Sequence, residues 1–180
     1  MKVLLILTNY FEEIEALGTV DILRRGGVKV DIFSLHEETL TGAHNIKITD
    51  LKNYKEANLN DYDCLFIAGG PQYQELERNN DFLNIIKYFY SNDKYIGAIC
   101  AAPTLLGHLG LLKGKSYTCF NSMNEDFEGT YIDHYAVKDH KLVTGKGPMA
   151  TLEFALLLLE TLNGKESAEM VKESSFYYNK

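Results

Sequence analysis

The sequence has few cysteines, no long apolar run and no cluster of basic residues. Its three cysteines, Cys64, Cys100 and Cys119, lack the spacing of a metal site and form no disulfide framework. Free thiols of this kind are typical of a reducing compartment. The first apolar stretch, from Val3 to Leu7, is too short for a signal peptide. We therefore expect a cytoplasmic protein.

Positive charge is also scarce: the chain has 18 Lys and Arg residues against 25 Asp and Glu residues, which gives a formal net charge of −7 at pH 7. Nucleic acids and acidic membrane surfaces are therefore not expected as partners. Apolar residues make up 46% and charged residues 24%, which argues against a disordered or membrane-spanning chain. A chain of 180 residues can bury one substantial core, and it contains no repeat or linker. We expect one domain over residues 1–180.

Short apolar strands alternate with amphipathic helices along the chain. The strands are predicted at 3–7, 28–33, 64–68, 95–99, 116–120, 135–137 and 142–144. The helices are predicted from a capping box at Asn9 and Glu12 to Arg25, at 81–90, from Pro103 to near Gly110, at 149–162, and once more before the C-terminus. A small hairpin is expected within 36–50, a polar connector at 53–61 and an acidic loop at 121–129. Alternation of this kind predicts an α/β fold with a doubly wound, mostly parallel sheet and helices on both faces.

Cys100 falls in the turn between the strand at 95–99 and the helix that Pro103 begins. Unpaired N–H groups and the partial positive charge of a helix start stabilise a thiolate, so the pattern predicts a lowered thiol pKa and a reactive cysteine. The alternative is a buried cysteine that fills space. Because sites in such folds lie beyond the carboxyl ends of the strands, we expect Cys100 at a crevice there.

Glu15 shares an otherwise apolar helix stripe with Phe11, Gly18 and Ile22. Burial would raise its pKa and let it donate a hydrogen bond to a thiolate, whereas a glutamate at the rim would simply reach solvent. Glu12 and Glu13 are expected only to favour the helix start.

Gly69 and Gly70 follow a predicted strand, and their exposed N–H groups together with the N–H of Ala101 could hold an oxyanion. The alternative is an ordinary turn at the end of a strand. The five histidines show no ligand spacing and none follows a predicted strand, so we expect surface or structural roles and no metal site.

The first helix carries a second apolar strip, formed by Ala16, Val20 and Leu23, roughly opposite Phe11 and Ile14. A helix that is apolar on two sides needs two partners. We therefore predict a homodimer.

The chain resembles the ThiJ/PfpI superfamily, and within it the DJ-1 branch, over essentially its whole length. The segments that carry the resemblance are 11–16 (FEEIEA), 20–27 (VDILRRGG), 68–71 (AGGP), 98–103 (AICAAP), 111–115 (LLKGK) and 144–148 (TGKGP). The resemblance implies a flavodoxin-like fold related to class I glutamine amidotransferases, and a homodimer. It places Cys100 at the reactive cysteine, Glu15 at the glutamate that bonds it, and Gly70 and Ala101 at backbone N–H donors.

Two positions depart from that branch. Cys119 stands where a histidine often lies near the thiol, which makes Cys119 a candidate substrate-binding residue without acid–base chemistry. Lys146 stands where an arginine is frequent, and lysine cannot bind an anion in bidentate fashion. Ala101 replaces the histidine that follows the nucleophile in peptidase-like relatives, and the later His and Glu pair of the amidotransferases is not seen. Peptidase activity is therefore not expected.

The resemblance implies a cysteine-dependent enzyme without cofactor or metal, of the glyoxalase or deglycase type, that acts on methylglyoxal or glycated adducts. Cys100 would attack the aldehyde, and Glu15 would move the protons. The alternative is a non-catalytic sensor of oxidative stress or a chaperone, in which Cys100 is oxidised to a sulfinic acid.

Overall fold

A seven-stranded, mostly parallel sheet forms the centre of the protein in the computed structural model, which describes residues 1–177. The strands are β1 (Lys2–Leu7), β2 (Lys29–Ser34), β3 (Leu40–Thr41), β4 (Lys47–Ile48), β5 (Lys52–Asn53), β6 (Cys64–Ile67), β7 (Tyr95–Ile99), β8 (Ser116–Tyr117), β9 (Thr130–Tyr131), β10 (Ala136–Asp139) and β11 (Leu142–Gly145). The strand order in the sheet is β10-β11-β7-β6-β1-β2-β5, and within it only β10 runs antiparallel to its neighbour. Two small pairs, β3 with β4 and β8 with β9, lie outside this sheet.

Helices cover both faces of the sheet, which confirms the predicted α/β class. They are α1 (Thr19–Arg25), α2 (Tyr73–Arg78), α3 (Asn80–Ser91), α4 (Ala102–His108), α5 (Thr151–Asn163) and α6 (Lys165–Ser174). A short π-helix (Ile14–Gly18) leads into α1, and 3₁₀ turns occupy Tyr54–Glu56, Leu59–Asp61, Asn121–Met123 and Pro148–Ala150. No helix within residues 1–177 combines the length and the apolar character that crossing a bilayer requires.

Strand β1 shows how the sheet separates two apolar cores. Val3, Leu5 and Leu7 point to the face covered by α1, α5 and α6, while Leu4 and Ile6 point to the face covered by α3 and α4. All five side chains are buried, because alternate residues of a central strand meet helices on opposite faces. The continuous apolar run that predicted a buried strand therefore serves both cores.

The predicted capping box at Asn9 is wrong. Tyr10 has a left-handed backbone (φ +67°), which prevents a helix from starting there. The Asn9 side chain instead accepts a hydrogen bond from Thr41 N (2.8 Å), and the first helical turn begins at Ile14. Glu12 provides the cap, because its Oε2 accepts from Glu15 N at 2.7 Å.

Two other boundaries and one helix differ from the prediction. The strand expected at 116–120 ends at Tyr117, because Thr118 N donates its hydrogen bond to the Thr144 side chain (Oγ1). The α5 helix starts at Thr151, after a 3₁₀ turn that Pro148 begins, and ends before Gly164 as expected. Helix α2 was not predicted, since its six residues carry too short an apolar pattern.

The apolar strip of the first helix does not face outward. Ala16, Val20 and Leu23 are buried in the same core as α5. Both sides of this helix are therefore satisfied within the chain, apart from Ile14, which is 48% exposed. The pattern that predicted a homodimer thus has an internal explanation, although the homodimer itself stays a prediction.

Candidate active site

Cys100 occupies a sharp turn between β7 and α4, as its sequence context predicts. Its backbone is left-handed (φ +65°), a conformation that costs a non-glycine residue about 1–3 kcal/mol. Two hydrogen bonds hold the turn: Cys100 N donates to Gly145 O (2.9 Å), and Phe120 N donates to Cys100 O (2.9 Å). The residue is 8% exposed. A small part of this strained cysteine therefore reaches the surface.

Glu15 lies in the π-helix and is fully buried. Its Oε2 accepts a hydrogen bond from Gly69 N (2.9 Å), and its carboxyl interacts with the Cys100 side chain. The other oxygen, Oε1, is buried and has no partner of hydrogen-bond geometry among residues 1–177. The structure thus places Glu15 against the thiol and away from the solvent-facing rim.

The Gly69–Gly70 turn allows this close packing. A Cβ atom on Gly69 would lie 2.7 Å from both Cys100 Cβ and Glu15 Oε2. A Cβ atom on Gly70, whose φ is +86°, would lie 2.5 Å from Glu12 N. Real Cβ atoms do not approach other atoms so closely, so the turn needs glycine at both positions.

The electrostatics of the pair follow from burial. Burial raises the pKa of Glu15 to about 8, so its carboxyl is mostly protonated at neutral pH. Burial and the negative charge of Glu15 raise the pKa of the Cys100 thiol, while the nearby N–H groups of Gly70 and Ala101 act in the opposite direction. The expected net lowering of the Cys100 pKa is therefore wrong, because the helix start does not compensate for the buried surroundings.

Protonation of Glu15 changes this balance. A neutral carboxyl no longer repels a thiolate, and its O–H can donate a hydrogen bond to the sulfur. The thiol and the carboxyl therefore titrate as one coupled pair. Cys100, Glu15, Gly70 and Ala101 are the four predicted site residues that the structure brings together.

Comparison with known proteins gives a family match over most of the chain. The family model described as "DJ-1/PfpI family" matches residues 1–161. The chain belongs to the DJ-1/PfpI family.

Relatives within the DJ-1/PfpI family carry functional names. "Glutathione-independent glyoxalase DJR-1.2" of Caenorhabditis elegans is 33% identical over 158 residues, which are 86% of this chain and 84% of that protein. "Protein DJ-1 homolog B" of Arabidopsis thaliana is 30% identical over 97% of this chain, and the match spans 41% of that longer protein. The crystal structure of Drosophila melanogaster DJ-1beta superposes with a TM-score of 0.90 at 30% identity, covering 99% of this chain and 98% of that one.

Cys119, which the DJ-1/PfpI resemblance aligns with a histidine, is fully buried. Its sulfur contacts Phe120 O (3.6 Å) and Asn124 Oδ1 (4.0 Å), and among residues 1–177 no hydrogen bond joins it to Cys100 or Glu15. Burial raises the pKa of Cys119 to about 11. The structure therefore places the chain at Cys119 beside the site, while the hydrogen bonds of its thiol go to Phe120 and Asn124.

An apolar groove with a volume of about 370 Å³ lies next to the Cys100 turn. Phe120, Tyr135, Pro148 and Met149 line it, and it is continuous with the two segments that hydrogen-bond the Cys100 backbone. Lys146 borders the groove and forms an ion pair with Asp133. The lysine is thus engaged by a carboxylate, which leaves the groove largely neutral.

His44, in the loop between β3 and β4, is exposed as expected of the histidines, but its contact with the glutamates before α1 was not predicted from the sequence. Its Nδ1 lies 2.9 Å from Glu13 Oε2 and 3.9 Å from Glu12 Oε1. Glu12 caps the first helical turn, as expected of a residue that favours the helix start. Both Glu12 and Glu13 are also buried, and Glu13 binds the loop of His44, which the sequence did not predict. One feature of the sequence could have indicated this contact: three glutamates lie on one short turn, and carboxylates that become buried need a cation or N–H donors as partners.

Glu12, Glu13 and His44 also place three possible metal-ligand atoms within 4.8 Å of one another. Both carboxylates already accept hydrogen bonds from main-chain N–H groups, Glu12 from Glu15 and Glu13 from His44 and Ile46. These hydrogen bonds compensate the negative charges of the two carboxylates without a metal ion, so we assign no metal to this cluster.

Proposed function

We propose that this protein is a cysteine-dependent, cofactor-free glyoxalase or deglycase that converts reactive α-oxoaldehydes, such as methylglyoxal, or their glycated adducts. The observation that supports it most directly is the contact between Cys100 and the buried Glu15, beside the N–H groups of Gly70 and Ala101. The name of the Caenorhabditis elegans relative points to the same chemistry.

The reaction would begin with attack of the Cys100 thiolate on the aldehyde carbon of methylglyoxal. The new C–S bond leaves an alkoxide, which the N–H groups of Gly70 and Ala101 stabilise and which the protonated Glu15 neutralises. Glu15, now ionised, removes the hydrogen on that carbon and returns a proton to the neighbouring carbon. The product is a lactoyl thioester, and water hydrolyses it to lactate and restores the thiol.

A carboxyl with a pKa of about 8 suits this sequence of transfers. It carries a proton at neutral pH, so it acts first as the acid. Its pKa is also close enough to neutral pH for it to accept a proton back in the next step. An exposed glutamate, ionised above about pH 4.3, could not begin as the acid.

Methylglyoxal consumption and lactate release test the proposal in three proteins: wild type, Cys100→Ser and Cys64→Ser. Cys64 is a matched control, because it is a fully buried thiol on β6. We expect roughly a hundredfold or greater loss in Cys100→Ser and little change in Cys64→Ser, because only the first removes the nucleophile. Equal turnover by wild type and Cys100→Ser would refute the function.

A second candidate function is sensing of oxidative stress, alone or with chaperone activity. Cys100 is partly exposed, whereas Cys64 and Cys119 are fully buried, and the Gly70 and Ala101 N–H groups could hold sulfinate oxygens. Mild peroxide should add two oxygens at Cys100 alone, as measured by intact mass and peptide mapping. Oxidation spread over the three cysteines would count against this function.

We also propose a cytoplasmic homodimer. Three free thiols fit a reducing compartment. Tyr10, Ile14 and Ile46 expose apolar side chains on two segments that hydrogen bonds hold together, Tyr10 N to Thr41 O (2.8 Å) and Ile46 N to the Glu13 carboxyl (3.4 Å). Light scattering at micromolar concentration should report twice the chain mass, and a monomer would remove this part of the proposal.

A further inference from the structure

The apolar groove beside the Cys100 turn has two walls, and hydrogen bonds fasten both of them to the backbone of the cysteine. Phe120, whose N–H donates to Cys100 O (2.9 Å), begins one wall. The other wall, residues 146–150, follows Gly145, whose carbonyl accepts from Cys100 N (2.9 Å). The groove therefore begins next to the contacts that fix the position of the nucleophile.

The Phe120 ring joins the two walls. A Cβ atom on Gly147 would lie 3.4 Å and 3.9 Å from two carbons of this ring, so the ring packs across the Gly147 backbone. The Phe120 side chain is nevertheless 43% exposed, and its neighbours in the groove, Tyr135 and Met149, are 54% and 78% exposed. Large apolar side chains that are exposed together mark a binding surface.

The side of Cys100 that faces Gly69 is closed. A Cβ atom on Gly69 would lie 2.7 Å from both Cys100 Cβ and Glu15 Oε2, so no part of a substrate fits between these groups. In the proposed reaction the N–H groups of Gly70 and Ala101 take the oxyanion. A substrate bonded to the sulfur therefore extends its remaining part away from Gly69, and the groove is the space that adjoins the turn outside this packing.

The charges around the groove favour an uncharged occupant. Lys146 is the one cationic side chain among the groove-lining residues that the structure describes, and Asp133 pairs with it. A carboxylate or phosphate on the substrate would have to compete with Asp133 for this lysine. An apolar group would instead gain by leaving water.

The size of the groove exceeds what methylglyoxal needs. Its volume of about 370 Å³ lies in the range of small-molecule sites, about 300–1,000 Å³. Methylglyoxal occupies the space of about three water molecules, each of about 30 Å³. Its methyl group would leave most of the groove unfilled, whereas a phenyl ring would cover the exposed apolar walls.

We propose that the groove holds the substituent of an α-oxoaldehyde bound at Cys100, and that Phe120 favours substrates whose substituent is aromatic, for which phenylglyoxal is the probe. This inference rests on the proposed function and specifies its substrate class. The hydrogen of the aldehyde carbon moves to the neighbouring carbon, water cleaves the thioester, and the product is mandelate. A substrate ring would pack against the Phe120 ring, and such aromatic pairs contribute more than the buried area alone.

The first test measures kcat/KM for phenylglyoxal and for methylglyoxal in wild type, Phe120→Ala, Phe120→Tyr and Tyr90→Ala. Tyr90 is the matched control, because it is an equally exposed aromatic residue (43%) on α3 that does not line the groove. Comparing the ratio of the two kcat/KM values between proteins cancels the difference in intrinsic reactivity of the two aldehydes.

We expect Phe120→Ala to lower the ratio in favour of phenylglyoxal about fivefold, the size of effect typical of an aromatic pair. Phe120→Tyr keeps the ring and should retain the wild-type ratio, as should Tyr90→Ala. An unchanged ratio in Phe120→Ala, or an equal fall in Tyr90→Ala, would overturn the proposal.

The second test repeats the comparison without turnover. Cys100 is alkylated by N-phenyliodoacetamide and by iodoacetamide, and peptide mass mapping gives the two rates. The ratio of rates should also fall about fivefold in Phe120→Ala. Such a fall in a protein that converts neither aldehyde would refute the glyoxalase function and support the groove, whereas turnover of methylglyoxal with unchanged ratios would refute the groove and support the function.

A second copy of the chain is the other possible occupant of the groove. In that case Phe120→Ala would change the mass measured by light scattering and leave both ratios unchanged, which would refute the proposal. Should Phe120→Ala fail to fold, Met149→Ala takes its place, because the Met149 side chain is mostly exposed and also lines the groove. Wild-type ratios in Met149→Ala would then count as the refutation.

Discussion

The buried carboxyl of Glu15 makes the stability of the protein depend on pH, and the size of that dependence can be worked out. Its pKa is about 8 in the folded protein and 4.5 in the unfolded chain. Folding therefore favours the protonated form, and the contribution is complete below pH 4.5 and is lost as pH rises towards 8. Each pH unit in that window lowers the free energy of unfolding by about 1.4 kcal/mol.

From pH 6 to pH 8 the expected loss is about 2 kcal/mol, since two units give about 2.7 kcal/mol and partial ionisation of the native carboxyl near pH 8 removes some of it. Glu15→Gln removes the titrating group while keeping its shape. The variant should therefore lose about 2 kcal/mol less than wild type over the same interval, whatever its stability at pH 6.

Urea unfolding at pH 6 and pH 8, followed by circular dichroism, measures this difference. The other titratable groups are the same in both proteins, so their effect cancels when the two changes are subtracted. The interval also ends below the ordinary pKa of a thiol, which limits the contribution of Cys100. Equal losses in wild type and Glu15→Gln would show that Glu15 is ionised in the folded protein, and would refute the protonated acid on which the proposed glyoxalase mechanism depends.

Two further predictions concern packing. Gly70→Ala should lower the free energy of unfolding by about 3 kcal/mol or more and suppress alkylation of Cys100 by iodoacetamide, because the new Cβ meets Glu12 N at 2.5 Å. Gly110→Ala is the control, since Gly110 also has a positive φ (+72°) but no atom lies within 4 Å of the new Cβ. It should cost only about 1 kcal/mol in the same urea titration and leave the alkylation rate unchanged. Leu159→Ala should lower the free energy of unfolding by about 3 kcal/mol, as measured by thermal unfolding, because the Leu159 side chain is fully buried and packs on Gly26. The alkylation rate of Cys100 should not change in this variant. A loss of alkylation would show that the packing of Leu159 on Gly26 affects the site.

Much of the fold could be predicted because the signals were local. Val3 to Leu7 is a continuous apolar run, and such a run fits a strand buried on both faces. Pro103 near the start of α4 likewise marked where β7 had to end, which located Cys100 in its turn.

The parts that could not be predicted depend on contacts between distant segments. Asn9 and Glu12 have the spacing of a capping box, but the Asn9 side chain accepts a hydrogen bond from the distant Thr41 N, so the helix begins later. The partner of Glu13 is 31 residues away on a loop whose own sequence pattern is weak. The pKa of Cys100 was predicted in the wrong direction because helix position is visible in sequence, whereas the desolvation of the sulfur is not.

The left-handed backbone at residue 100 restricts which other amino acids natural variation or engineering can place there. Glycine, asparagine and aspartate adopt this conformation readily, while β-branched side chains are strongly disfavoured. The backbone conformation alone therefore strongly disfavours the substitution Cys100→Thr. Glycine, which removes the nucleophile and relieves the backbone strain, is the inert replacement that the conformation of residue 100 favours most.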